Sequence, residues 1–245
     1  MPSTANVTAP VSLHGCGRSG TTLMTEIFRN HPDFQSIGET SNLIYTASKT
    51  IQQSLPFCAA DMTAENASTH STKGVRALLT TLFPSDRPRW FHKPIMLPIS
   101  QWRFDQYEDF MSWYWKTARE LFPDGHFFAI LREPSEVVTS YMKRWNRPLD
   151  VTMLAQQRTL DLMAHPDSCI QGIIRFEDLA GRPRETVERL FAMINVDFHP
   201  DVMRAFRGEH ASNSGRGSET GPIEIGPEIT DVYNTLIERH DILAG

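Results

Sequence analysis

Between residues 15 and 22 the chain runs Gly15-Cys16-Gly17-Arg18-Ser19-Gly20-Thr21-Thr22. One guanidinium and three hydroxyls crowd around glycines. That set suits an anion. Glycine lets the backbone approach closely, the hydroxyls donate, and Arg18 adds a permanent charge with forked donors. A second group lies far along the chain, where Ser140 follows Arg132 by eight residues. With Arg132 leaving a strand and Ser140 about two turns into the next helix, both would face one spot and could grip a phosphate. A surface Arg132 paired with Glu133 or Glu136 is the plainer alternative.

The elements that must position these groups follow from patterning. Val11 and Leu13 mark a short buried strand. From Thr21 onward Leu23 and Ile27, and Met24 and Phe28, repeat at helical spacing. Strand, glycine loop and helix N-terminus together present unpaired N–H groups and the positive end of a helix dipole. The spacing Gly15-x-x-x-x-Gly20 matches the first half of the nucleotide-binding loop G-x-x-x-x-G-K-[ST]. Thr21, however, occupies the lysine position, and no metal carboxylate is evident, so an anion with less charge to neutralise is expected.

The run His126 to Leu131 is fully apolar, as in a central parallel strand, and Pro134 opens a helix to about Trp145. Further strands are expected at Phe34 to Ile37, Trp90 to Pro94 and Cys169 to Phe176. Helices are expected at Thr40 to Gln53 behind a Gly38-Glu39 cap, and at 72–83, 101–122, 150–164, 184–195 and 227–239. The small polar stretch 54–71 reads as a surface excursion, a lid near an acceptor, and the glycine-rich 207–227 as a loop. The aromatics of 101–122 read mainly as core, with a few free to line an apolar pocket. Strands alternating with helices imply an α/β fold, a P-loop-like three-layer sandwich with a central parallel sheet and helices on both faces.

Bulk properties bound the answer. A chain of 245 residues with 40% apolar content suits a single domain, 1–245. A net charge of -5 argues against coating nucleic acid. No run of 18 apolar residues predicts a membrane span, and the first ten residues do not resemble a signal peptide. The three cysteines show no metal spacing and read as free thiols of a reducing compartment, hence a cytoplasmic protein.

GRSGTTLM, then His31-Pro32, then Gly38-Glu39-Thr40 resembles the 5′-phosphosulfate loop, first helix and following segment of sulfotransferases that use 3′-phosphoadenosine-5′-phosphosulfate, PAPS. The closest likeness is to the tyrosylprotein sulfotransferase branch and its bacterial relatives. Leu131-Arg132-Glu133-Pro134 with Ser140 resembles the family's 3′-phosphate motif, and Arg175-Phe176-Glu177-Asp178-Leu179 resembles a segment near the adenine, where the family usually has tyrosine at the Phe176 position.

The resemblance implies sulfuryl transfer from PAPS to an acceptor hydroxyl or amine of a small molecule, glycan or peptide, with adenosine 3′,5′-bisphosphate as product and no metal. It implies Gly17, Arg18, Ser19, Gly20, Thr21, Thr22, Arg132, Ser140 and Phe176 as cofactor contacts, with Arg216 and Ser218 of the glycine-rich loop as weaker matches. It implies Glu39 as general base, Lys93 and Arg18 as charge stabilisers, and His92 as the rival base. No nucleic-acid or membrane partner is expected, and a homodimer is compatible. A nucleotide kinase and a catalytically silent nucleotide-binding module stay open as alternatives.

Overall fold

Among the described residues, five short strands pair into one sheet. The computed structural model describes residues 9–59, 61–94, 104, 106–207 and 223–243. The strands are β1 (Val11–His14), β2 (Phe34–Glu39), β3 (Arg89–Lys93), β4 (His126–Leu131) and β5 (Gly172–Arg175). They lie in the order β2-β3-β1-β4-β5, and every neighbouring pair is parallel. Both faces are covered, which is why β1 is buried at all four positions and β4 carries no alternating polar residues.

Residue alternation sorts the side chains into two cores. Val11, Leu13, Phe91, Phe128, Ile130 and Ile174 face one layer, formed by α1 (Thr21–Arg29), α7 (Phe176–Gly181), α8 (Pro183–Met193) and a 3-10 segment at Pro200–Arg207. Trp90, Phe127, Ala129, Leu131 and Ile173 face the other. That layer contains α4 (Tyr107–Leu121), α6 (Leu149–Ala164) and α9 (Pro227–His240), with α3 (Ala64–Leu82) beyond. The three-layer expectation holds. From β1 the chain travels through α1 to β2. From β4 it travels the opposite way, through α5 (Pro134–Trp145) and α6, to β5. The order therefore reverses between β1 and β4, and a crevice opens at their carboxyl ends.

Several expectations need correction. Gly38 and Glu39 do not cap a helix. They extend β2, where Gly38 at φ 88° accompanies a register shift against β3. The backbone then makes a π-helical turn at Asn42–Thr46 before α2 (Ala47–Cys58). Residues 54–71 are no lid: they end α2 and begin α3. Thr63 caps α3 by accepting the Asn66 N–H at 3.2 Å. The two helices approach closely because their crossing is built from small residues. Ser48, Ala67 and Ser71 are buried there, and the Ser71 hydroxyl donates to the Ser48 carbonyl at 3.0 Å.

The strand expected at 169–176 is shorter, since Phe176 already opens α7. Residues 101–103 of the aromatic helix, and Arg216 and Ser218, lie outside the described residues.

Candidate active site

The loop between β1 and α1 is built by contacts that exclude side chains. Gly20, at φ 95°, ends the loop and precedes α1 without any side-chain cap. The first N–H groups of α1 therefore have no intrahelical acceptor, and the earliest helical bond closes from Met24 back to Gly20. A Cβ on Gly20 would stand 2.5 Å from the Phe176 ring, and one on Gly15 would stand 2.6 Å from the Ile130 carbonyl. Gly17 lies against the rings of Tyr141 and Trp145. The loop is thus pressed down on β4, α5 and α7, and it is closed by the Ser19 N–H donating to the Cys16 carbonyl at 3.3 Å.

Its donors do not all face outward. Ser19 and Thr21 are buried, while Arg18 and Thr22 are exposed. Arg18 takes φ 73°, and its Nε donates to Ser140 Oγ at 3.1 Å. Arg132 leaves the end of β4 and donates to the Arg18 carbonyl at 3.5 Å. It also pairs with Glu136 at 3.0 Å and lies 4.9 Å over the Phe176 ring. The first and second sequence motifs therefore meet, and Arg132 makes the plainer ion pair with Glu136 while it also borders the loop. Phe176 offers no open face, being buried beneath Gly20 and Arg132.

On the other side of β1, strand register brings two remote residues together. Glu39 is aligned with Lys93 across the β2–β3 pair. The Lys93 ammonium lies 3.5 Å from the Glu39 carboxylate, with side-chain exposures of 9% and 63%. A nearly buried ammonium and an open carboxylate thus stand at the carboxyl edge of the sheet, on the same edge as the glycine loop and Arg132. A carboxylate in that position can take a proton, and the ammonium can stabilise negative charge developing beside it.

A model of the sulfotransferase family matches residues 10–200, the span that contains the loop, Glu39, Lys93, Arg132 and Ser140. The chain belongs to the sulfotransferase family. Solved structures share the fold at low identity. The sulfotransferase domain from the curacin biosynthetic pathway superposes with a TM-score of 0.61 at 16% identity, over 94% of this chain and 97% of that one. The sulfotransferase domain from the Synechococcus PCC 7002 olefin synthase gives a TM-score of 0.59 at 15% identity, over 94% and 96%. A sulfotransferase from Mycobacterium avium gives 0.52 at 12% identity, over 97% and 78%. Comparison with curated proteins finds no significant match by sequence.

In this sulfotransferase His92 is only 2% exposed. Its Nδ1 is 2.8 Å from the Thr40 hydroxyl, its Nε2 has no partner among the described residues, and burial pushes its pKa down to about 3. It is a neutral imidazole inside the helical layer, tied to the residue that follows Glu39. Sequence reasoning overlooked a second such residue, His14. This ring is buried against Trp115, contacts Ser12 Oγ and the Tyr114 hydroxyl at 3.2 Å each, and is also held to about 3, chiefly by burial. The signal was available: a histidine at the last position of a buried strand, directly before the loop. Cys16 is unreactive, since burial drives its thiol up to about 12. Among the described residues no His, Cys, Asp or Glu cluster could hold a metal, and no helix is long and apolar enough to cross a membrane.

Proposed function

We propose that the enzyme transfers a sulfuryl group from PAPS to an acceptor hydroxyl, or an amine, by in-line displacement. The observation that carries this reading is the meeting of the uncapped α1 N-terminus with the Arg18–Ser140–Arg132 group, on the same sheet edge as the Glu39–Lys93 pair. A nucleotide with charge at both its 5′ and 3′ positions matches two such sites. The residues present fit the group: glycine permits the loop to pack on Ile130 and Phe176 and to take φ 95° at Gly20, and α1 starts without a side-chain cap on its first N–H groups.

When bound, PAPS supplies a sulfuryl group already activated on a phosphate leaving group. The loop N–H groups and the Thr22 hydroxyl hold the 5′ side. Arg132 and Ser140 hold the 3′-phosphate. Glu39 accepts the proton of the acceptor hydroxyl, because its carboxylate is open to the crevice whereas His92 is enclosed and committed to Thr40. Lys93 supports the charge that develops on the oxygens around sulfur, the part that Mg²⁺ plays in phosphoryl transfer. The single positive charge suffices because a sulfuryl group carries less negative charge than a phosphoryl group. Three unpaired thiols, Cys16, Cys58 and Cys169, are consistent with the cytoplasm as its compartment.

Calorimetric titration with adenosine 3′,5′-bisphosphate, and separately with ATP and Mg²⁺, tests the donor. Micromolar binding of the bisphosphate and none of ATP is the expected result. Binding of ATP with Mg²⁺ and indifference to the bisphosphate would overturn the proposal in favour of a kinase.

A further inference from the structure

Resting on the sulfuryl transfer put forward above, we propose that Lys49 holds an anionic group of the acceptor, so that the enzyme selects hydroxylated acceptors with a carboxylate roughly 10 Å from the reacting hydroxyl. Lys49 lies in the first turn of α2, downstream of Glu39 on the same stretch of chain. The backbone is helical without a break from Ser41 to Lys49, a rise of about 10–12 Å. The near end of that stretch is pinned at the sheet edge. The Thr40 hydroxyl lies 2.8 Å from His92 Nδ1, and the Thr40 carbonyl accepts the Ile44 N–H at 2.8 Å. The base and Lys49 are thus held at opposite ends of one rigid span.

An aromatic tier accompanies that span. Tyr45 stacks on Tyr114 with centroids 4.0 Å apart, and the Tyr114 hydroxyl reaches His14, the residue before the glycine loop, at 3.2 Å. Trp113 meets Tyr45 at 6.1 Å and Phe104 at 5.3 Å. Tyr45 and Tyr114 are buried, whereas Trp113 and Phe104 keep part of their surface open. The Lys49 ammonium stands at this open end, 3.7 Å from the Phe104 centroid and 5.4 Å from that of Trp113. The Trp113 ring is fixed there, because its indole N–H donates to Gln52 Oε1 at 2.9 Å, one turn beyond Lys49.

The charge of Lys49 is left without an answer in the chain itself. The side chain is half-buried, and among the described residues it forms no ion pair. Burial lowers its pKa, and no charged neighbour contributes to the shift. Lys93, the other ammonium withdrawn from water, has Glu39 beside it. Lys49 has only ring faces, which attract a cation from one side and leave its other N–H donors to an acceptor oxygen. An apolar acceptor body laid on the rings, with its carboxylate at Lys49, would satisfy both.

Initial rates on matched acid and methyl-ester acceptors test this. Long-chain ω-hydroxy acids and para-hydroxyphenyl alkanoic acids are the two series, and wild type, Lys49→Met and Lys49→Arg are the enzymes. Methionine keeps an unbranched stem on the rings and removes the charge. Thermal melting and calorimetry with adenosine 3′,5′-bisphosphate check the fold and the donor site of each protein. Wild type should show a KM for the acid roughly tenfold below that for its ester in the series it accepts. Lys49→Met should erase the difference by raising the acid KM roughly tenfold, with the ester KM and the bisphosphate affinity changed less than about threefold. Lys49→Arg should keep most of the preference. A wild type that treats acid and ester alike, a Lys49→Met protein that still prefers the acid, or transfer to neither series while the bisphosphate binds, overturns this inference and leaves the donor proposal standing. A wild type that does not bind the bisphosphate overturns both.

Discussion

Lys93 is the one Lys, Arg, Asp or Glu among the described residues that the fold buries, and Glu39 is the partner that makes this tolerable. An ammonium withdrawn from water without a nearby carboxylate would lose its charge or the local structure. Lys93→Ala and Glu39→Gln are each expected to lower kcat by about 10²–10³ while leaving bisphosphate affinity within about threefold. Steady-state rates on an acceptor, together with calorimetry, check this; a large loss of nucleotide binding would move Lys93 out of the chemistry. His92 makes a separate prediction. Its imidazole is held neutral down to about pH 3, so it cannot set an acid limb in the ordinary range. Any acid limb of the pH–rate profile should therefore persist in His92→Asn. Disappearance in the histidine variant would make His92 the base.

At the scale of elements, the glycines of the site differ in what they do. Gly20 combines φ 95° with a Cβ position 2.5 Å from Phe176, whereas Gly38 has φ 88° with open space around it. Gly38→Ala should cost about 1–2 kcal/mol, from backbone strain alone. Gly20→Ala should cost about 2–4 kcal/mol, since the Phe176 ring must also shift. Denaturant unfolding of the two variants measures the difference, and equal costs would mean that the loop relaxes away from α7. The element that defeated sequence reading was the α2–α3 pair. The small polar residues of 54–71, Ser71 among them, read as a surface excursion, yet at a helix crossing Ser71 allows close approach and bonds across it to the Ser48 carbonyl. By contrast α5 was legible to the residue, because Pro134 fixes its first turn and the apolar spacing runs unbroken to Trp145.

At the scale of the molecule, burying His14 and His92 as neutral rings ties stability to pH. Both have folded pKa values of about 3 against an ordinary 6.5, with burial the leading cause. Below pH 6.5 the unfolded chain takes up protons that the folded rings refuse, so stability falls as pH drops from 6.5 toward 3. Above 6.5 neither state is protonated and this contribution is level. The limiting slope is about 1.4 kcal/mol per pH unit for each ring. Unfolding free energies between pH 7 and 5 should decline steeply in wild type and more gently in His14→Gln. An unchanged slope would show that the ring is protonated without unfolding.

The sequence alone determined the glycine loop between the first strand and helix, the order of its companion motifs and the parallel layered fold. These are properties of local spacing: glycines that permit a turn, apolar runs of strand length, helical periodicity. What the tertiary structure decided was which remote residues touch. Strand order placed Glu39 beside Lys93, packing on α5 drew Arg18 to Ser140, and enclosure under a helical layer set the His92 ring beside the Thr40 hydroxyl. No local pattern encodes those distances. They depend on how β2, β3, β1 and β4 lie side by side, and a shift of one residue in any register would undo them.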